Sequence, residues 1–311
     1  MGDASGRVIA VANMKGGVGK TTTVVMLAEG FAAEGARVLV IDLDAQTNAS
    51  YCFAPDEVLA PIFERRHTVS SFLADHLIYG DKSGIAKYVT PGISDVTKAG
   101  TPLAIDLLAA HPRLRLLERE VMFRFSEEKR GIHALEGRSH QLLAGAMDAL
   151  RKTYDVILLD CAPGISAFTE VAIRLADRVI VPTIPDYLST IGLDVFRTSV
   201  WDNIHLSSSS LPKPKHPPLV LAARVNQTKV QHKRTLAIMR EEAAGPDASY
   251  EMFDLTIENK APIERAMDPE AFPVPPTFEQ KWQNAVDLVR DLTSETRRRL
   301  DGRGDELLSA S

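Results

Sequence analysis

The chain of 311 residues has two cysteines, Cys52 and Cys161, and no C-x-x-C pair. Zinc and iron–sulfur centres of the usual kind are therefore not expected. No apolar run approaches the ~18 residues of a membrane span. The opening residues Met1-Gly2-Asp3-Ala4-Ser5-Gly6 lack the apolar stretch of a secretory signal. Position 6 holds Gly where a myristoylation site has Ser or Thr. An excess of positive charge is missing too: 36 Lys+Arg stand against 41 Asp+Glu, a net charge of −5. The protein as a whole is thus not an electrostatic nucleic-acid binder, and any DNA contact must come from a local basic patch. No internal repeat is visible. The length fits one large α/β domain or two small ones.

What is present is a phosphate-binding loop in shifted form. Residues 13–22 read Asn13-Met14-Lys15-Gly16-Gly17-Val18-Gly19-Lys20-Thr21-Thr22. The Gly-Lys-Thr of the G-x-x-x-x-G-K-[ST] pattern is there, but Met14 stands where the pattern has its first Gly, and a second lysine, Lys15, precedes the glycines. An apolar strand (7–12) leads into the loop and a helix (22–29) leaves it. Strand, Gly-rich turn and helix N-terminus make an anion cradle, because backbone N–H groups and the helix dipole converge there. Lys20 is expected to reach the β/γ-phosphates of ATP and Thr21 to ligate Mg²⁺.

Strand-type runs then alternate with helical segments. Strands are expected over 36–42, 103–109, 155–160, 178–183 and 219–225, with a seventh over 252–256. Helices fit at 113–123, 138–152, 186–204 and 230–243. Near-continuous apolar strands separated by helices imply a doubly wound, mainly parallel α/β sheet. Residues 51–102 read as an insertion of short helices and loops. The Ser/Pro-rich stretch 207–218 reads as a surface loop before a strand rather than a domain boundary. Residues 277–300 read as an amphipathic helix, with a polar, frayed tail over 301–311. The expectation is one P-loop ATPase domain spanning 1–311.

Two further motifs complete the candidate site. The second strand ends in Asp42-Leu43-Asp44-Ala45-Gln46-Thr47-Asn48. Strand-end carboxylates in a parallel sheet lie at the edge where ligands bind. Asp44 is a candidate for orienting the attacking water or reaching the metal shell, and Asp42 for the magnesium hydration sphere; capping the following turn is the alternative for both. The fourth strand ends at Asp160 in the form of a Walker B strand, whose Asp serves Mg²⁺. Cys161-Ala162-Pro163-Gly164 then makes a turn suited to sensing the γ-phosphate.

Lys15 to Thr22, Asp42-Leu43-Asp44-Ala45-Gln46-x-Asn48 and Asp160-Cys161-Ala162-Pro163 together resemble the ParA/MinD group of deviant-Walker P-loop ATPases. Val181-Pro182-Thr183-Ile184-Pro185-Asp186-Tyr187 and Gly192-Leu193 resemble its ParA branch. The resemblance implies an ATP-dependent sandwich homodimer in which Lys15 crosses to the partner's ATP and offsets its charge, much as an arginine finger does. It implies that Asp44 serves hydrolysis and Asp160 the metal. It also implies adenine contacts from Asn226, after the sixth strand, and from Pro262, in the next loop. Hydrolysis in this family is slow, is stimulated by a partner and acts as a switch between surface-bound dimer and released monomer.

For the surface, Arg197, Arg224, Lys229, Lys233 and Arg234 are candidates for non-specific DNA contacts, made to phosphates without sequence readout. A solvated helix face is the alternative for them. The C-terminal residues have too many acids and glycines for a MinD-like membrane anchor, and Arg297-Arg298-Arg299 reads as a helix end complementing its dipole. A redox ATPase like the nitrogenase iron protein would need cluster cysteines that are missing. For a small-molecule enzyme, or a regulator of polysaccharide synthesis, no further polar pocket motif is found. About six residues precede the first strand, so an operator-binding helix-turn-helix is not expected there. The expected setting is the cytoplasm, on the nucleoid, with a ParB-like or cargo-linked adaptor.

Overall fold

The structure is a computed structural model and describes residues 5–127, 131–202 and 211–301. In chain order the first half holds β1 (Arg7–Val11), α1 (Lys20–Ala33), β2 (Val38–Leu43), α2 (Asn48–Phe53), α3 (Asp56–Glu64) and α4 (Val69–Leu77). A small hairpin of β3 (Thr97–Lys98) and β4 (Thr101–Pro102) precedes β5 (Ile105–Leu108), α5 (Leu114–Glu127) and α6 (Gly131–Leu150). The second half holds β6 (Val156–Cys161), α7 (Ala167–Leu175), β7 (Arg178–Thr183), α8 (Tyr187–Val200), β8 (Leu219–Ala222) and α9 (Val230–Ala244). It closes with β9 (Glu251–Met252), α10 (Ala261–Ala266), α11 (Phe278–Trp282) and α12 (Val286–Leu300).

Seven strands form one sheet in the order β5-β2-β6-β1-β7-β8-β9, and every pairing in it is parallel. Parallel neighbours need crossovers, so helices cover both faces. Two apolar clusters follow, one on each side. Val8, Leu39, Ile157 and Val181 belong to the first, and Ile9, Val40, Leu158 and Ile180 to the second. From β1 the chain runs first to β2 and later, after β6, to β7 on the other side. The carboxyl ends around β1 are therefore the switch point where such sheets open a ligand crevice.

The expected doubly wound fold is present, with three local differences. β8 stops at Ala222 because Arg224 takes the left-handed backbone conformation (φ 53). β9 ends at Met252: the Phe253 amide still reaches the Val220 carbonyl, and Glu295 then receives the amides of Asp254 and Leu255. The C-terminal helix is broken at Gln283 (φ 49), so that both Trp282 and Val289 turn into the core against α1. Residues 48–102 hold α2, α3, α4 and the β3–β4 hairpin, joined by loops. The described part of the Ser/Pro-rich stretch, 211–218, precedes β8; residues 203–210 of that region and tail residues 302–311 lie outside the described residues. Arg297 pairs with Glu34, and Arg299 with Glu251 and Glu295, so this basic run fastens α12 to α1 and the sheet edge. Among the described residues no helix is long and apolar enough to cross a membrane.

Candidate functional site: the phosphate cleft at the strand ends

The loop between β1 and α1 is built by its glycines and held by one asparagine. Gly17 and Gly19 have φ 71 and 98, a region that residues with a Cβ avoid, and Gly19 caps α1. A Cβ on Gly16 or Gly17 would project into open space. Asn13, buried, donates to the Pro182 carbonyl at 2.8 Å and accepts from the Lys15 amide at 3.0 Å. It ties the loop to the end of β7. Sequence reasoning gave Asn13 no role; its signal was a buried-type position directly after an apolar strand.

A cleft of about 540 Å³ opens over this loop, lined by Gly16 to Thr22 (Val18 excepted), Asp44, Pro163, Ala223, Arg224 and a wall from Ile257 to Met267. That volume suits a nucleotide-sized ligand. Lys20 curls back to donate to the Lys15 carbonyl at 3.0 Å. Burial lowers its ammonium below the usual range, and the Asp160 and Asp44 carboxylates oppose that shift. Thr21 donates its hydroxyl to Asp160 Oδ2 at 2.8 Å, while Asp160 Oδ1 is buried without a hydrogen-bond partner.

Asp42 and Asp160 are direct neighbours in the β2–β6 register. Burial, then the Asp42 charge, pushes the Asp160 carboxyl well above the ordinary range. Burial likewise pushes Asp42 up to about 6, although the Ser50 and Asp44 donors pull it back. Such a pair is what a cation would relieve. Among the described residues no group of three or more His, Cys, Asp and Glu side chains forms a metal cage. The donor set of one hydroxyl and one unpartnered carboxylate oxygen beside a phosphate cradle fits Mg²⁺, which is held by one or two carboxylates plus phosphates.

The other expected residues divide. Asp44 lines the cleft and accepts from the Gln46 amide at 2.9 Å. Asp42 stands behind it, fully buried: Oδ1 receives the Asp44 amide and Oδ2 the Ser50 amide and hydroxyl. Its geometry is that of a turn clamp. Lys15 points to α8, donating to Ser189 Oγ at 2.9 Å with Asp186 at 3.8 Å. Asn226 and Pro262 do not line the cleft. The Asn226 side chain accepts from the Thr228 amide and hydroxyl, and Pro262 lies in the first turn of α10. Their neighbours Asn259, Ile263 and Met267 form the wall instead. The signal for these was the loop after β9, whose facing side chains the sequence does not disclose.

The basic residues also separate. Lys229, Lys233 and Arg234 are exposed together at the start of α9. Arg197 is mostly covered and pairs with Asp202 at 2.7 Å. Arg224 lines the cleft and donates to the Gly17 carbonyl at 3.0 Å.

Comparison with known proteins agrees with this fold. The family model described as an AAA domain matches residues 6–210. The sporulation initiation inhibitor protein Soj of Bacillus subtilis is 30% identical over 195 residues, covering 63% of this chain and 65% of that protein. The chain spans less than two thirds, 65% and 59%, of the length of the first curated relatives it matches. Among solved structures, pNOB8 ParA bound to nonspecific DNA superposes with a TM-score of 0.65 at 20% identity, covering 96% of this chain and 99% of that one. A putative plasmid partition protein from Borrelia burgdorferi B31 bound to AMPPNP gives 0.64 at 20% identity, covering 94% and 99%. At these identities the likeness is one of fold.

Proposed function

The chain belongs to the AAA domain family, as a ParA-like member, and from that premise we propose that it is a Mg²⁺-dependent ATPase acting as a spatial switch. In this reading one ATPase domain closes on ATP as a sandwich homodimer, holds DNA without reading its sequence, and releases it when an adaptor stimulates hydrolysis. The cargo is DNA or a protein assembly positioned on the nucleoid in the cytoplasm. Residues 51–102 are the candidate for adaptor specificity.

The observation that carries the reading is the meeting of Lys20 and Thr21, on a glycine-built loop, with the unpartnered Asp160 Oδ1 of β6. Lys20 leaves the Lys15 carbonyl for the β/γ-phosphates, whose charge restores its ammonium. Thr21 and Asp160 would hold Mg²⁺, which would supply neutralisation of the phosphate charge. Asp44, at the cleft rim, orients the attacking water and takes up its proton. Lys15 leaves Ser189 and Asp186 to face the partner's ATP. The dimer reading gains support from α8, where Tyr187, Leu188, Ile191 and Val195 are exposed beside the residues that hold Lys15. An apolar strip of this kind is suited to burial against another surface.

Lys229, Lys233 and Arg234 are the DNA residues favoured by their exposure, and dimerisation doubles their patch. The test is binding of Asp44→Ala protein to unrelated duplex DNA, with ATP against ADP, across a salt series. ATP-dependent binding that weakens steeply with salt is expected. Binding indifferent to nucleotide, or none at all, refutes the DNA-tracking switch.

A further inference from the structure

Arg224 is where backbone strain, phosphate loop and cleft meet. Along β8, Leu219, Leu221 and Ala223 belong to one core cluster. Val220 and Ala222 belong to the other, and so does Val225, three residues after Ala222. Strict alternation would send Val225 to the opposite face. Arg224 is therefore an extra residue between the end of β8 and the Val225–Glu258 bridge, and its left-handed backbone (φ 53) absorbs the offset. Glycine adopts that conformation without strain and arginine does not. A strained non-glycine residue beside a ligand cleft points to a use for its side chain.

The side chain reaches back over the loop. Its Nη1 donates to the Gly17 carbonyl at 3.0 Å, across 207 residues of sequence. Gly17 itself has no side chain to anchor it and sits at φ 71. Because a peptide plane is rigid, holding the Gly17 carbonyl fixes the orientation of the whole Gly17–Val18 peptide. A guanidinium has five N–H donors, and this residue lines the same cleft as Lys20 and Thr21.

We propose that Arg224 is a nucleotide-positioning residue: it presets the phosphate loop through the Gly17 carbonyl and offers its remaining donors to the triphosphate. This rests on the ATPase reading above. It separates Arg224, which is exposed but lines the cleft, from Lys229, Lys233 and Arg234, with which its place after the sixth strand had grouped it.

The test variant is Arg224→Gly, since glycine suits the backbone and the fold is kept or stabilised; a thermal melt checks this. Affinity is read with a fluorescent, non-hydrolysable ATP analogue and Mg²⁺. Arg224→Gly is expected to bind at least about tenfold more weakly, the usual range for losing a charged hydrogen bond. In steady-state hydrolysis KM rises while kcat at saturating ATP stays within about twofold, as expected when ground-state and transition-state binding fall together. Arg224→Lys recovers part of the affinity, because it keeps the charge and loses the fork. DNA binding at saturating ATP, in the Asp44→Ala background, is unchanged.

Wild-type affinity in Arg224→Gly overturns the proposal. So does loss of DNA binding at saturating nucleotide with nucleotide affinity intact. If wild-type protein and Lys20→Ala both fail to bind the analogue, the ATPase reading itself fails and takes this one with it.

Discussion

Replacing Lys281 by Met exposes how the P-loop helix is pinned to the C-terminal elements. Glu29 of α1 is fully buried. One carboxylate oxygen receives the Lys281 ammonium at 2.5 Å and the other the Trp282 indole N–H at 2.8 Å. Burial raises the Glu29 carboxyl above its usual range, although the Lys281 ammonium and the Trp282 N–H oppose the shift. Lys281→Met keeps the length and apolar stem but leaves only the Trp282 N–H to oppose burial. An unpaired buried carboxylate escapes its desolvation cost by taking a proton. The charge-related penalty is thus capped by the cost of protonation. For an unfolded-state pKa of ~4.3 that is about 1.36 × 2.7, or about 3.7 kcal/mol at pH 7. At pH 5 the cap falls to about 1 kcal/mol.

The folded variant holds a proton that its unfolded chain releases above the ordinary Glu pKa. Its stability therefore falls as pH rises through that region, relative to wild type, in which the ammonium opposes that proton uptake. Urea melts of both proteins at pH 5, 6 and 7 measure this. A loss of about 3–4 kcal/mol at pH 7 that shrinks to about 1 kcal/mol at pH 5 is expected. The double variant Glu29→Gln/Lys281→Met should recover most of the loss and be flat with pH, because no buried charge remains. An equal loss at pH 5 and pH 7 refutes the argument that Lys281 opposes protonation of Glu29.

Other outcomes follow from the same packing and site. A Cβ on Gly30 would lie 2.0 Å from Thr293 Oγ1, so Gly30→Ala should drive α12 from α1 and cost about 1–3 kcal/mol in a denaturant melt. Asp177 receives the Val8 amide, Arg151 and Lys215; these outweigh burial and hold its carboxyl below the usual range. Asp177→Asn should therefore cost about 2 kcal/mol at neutral pH. The deficit should shrink as pH drops below ~4, where wild type begins to lose the same contribution. Lys15→Ala should bind ATP with near wild-type affinity yet stay monomeric in light scattering with ATP; a normal ATP dimer removes the cross-subunit role. Asp44→Ala should bind ATP and accumulate as a dimer, and hydrolysis at the wild-type rate would refute its assignment to the water.

What the sequence determined by itself is whatever neighbours along the chain build together. The phosphate loop is legible because consecutive backbone groups of Gly16 to Thr21 form it, with Lys20 and Thr21 at fixed offsets. The strands that carry Asp42 and Asp160 near their ends are legible because burial on both faces leaves continuous apolar runs. The break at Gln283 was not, since the apolar spacing over 277–300 is also that of an unbroken helix. Tertiary structure decided everything that joins distant segments. It turned Arg224 from a candidate on the DNA face to the loop at Gly17, and it put Asn259, Ile263 and Met267 in the cleft where Asn226 and Pro262 were expected. It also joined Glu29 to Lys281 across 252 residues. The physical reason is that a parallel sheet gathers its strand ends at one edge only once every crossover has closed. Which side chain then faces the cleft depends on strand register, on one left-handed residue and on helix packing, and none of these is a property of a local run of amino acids.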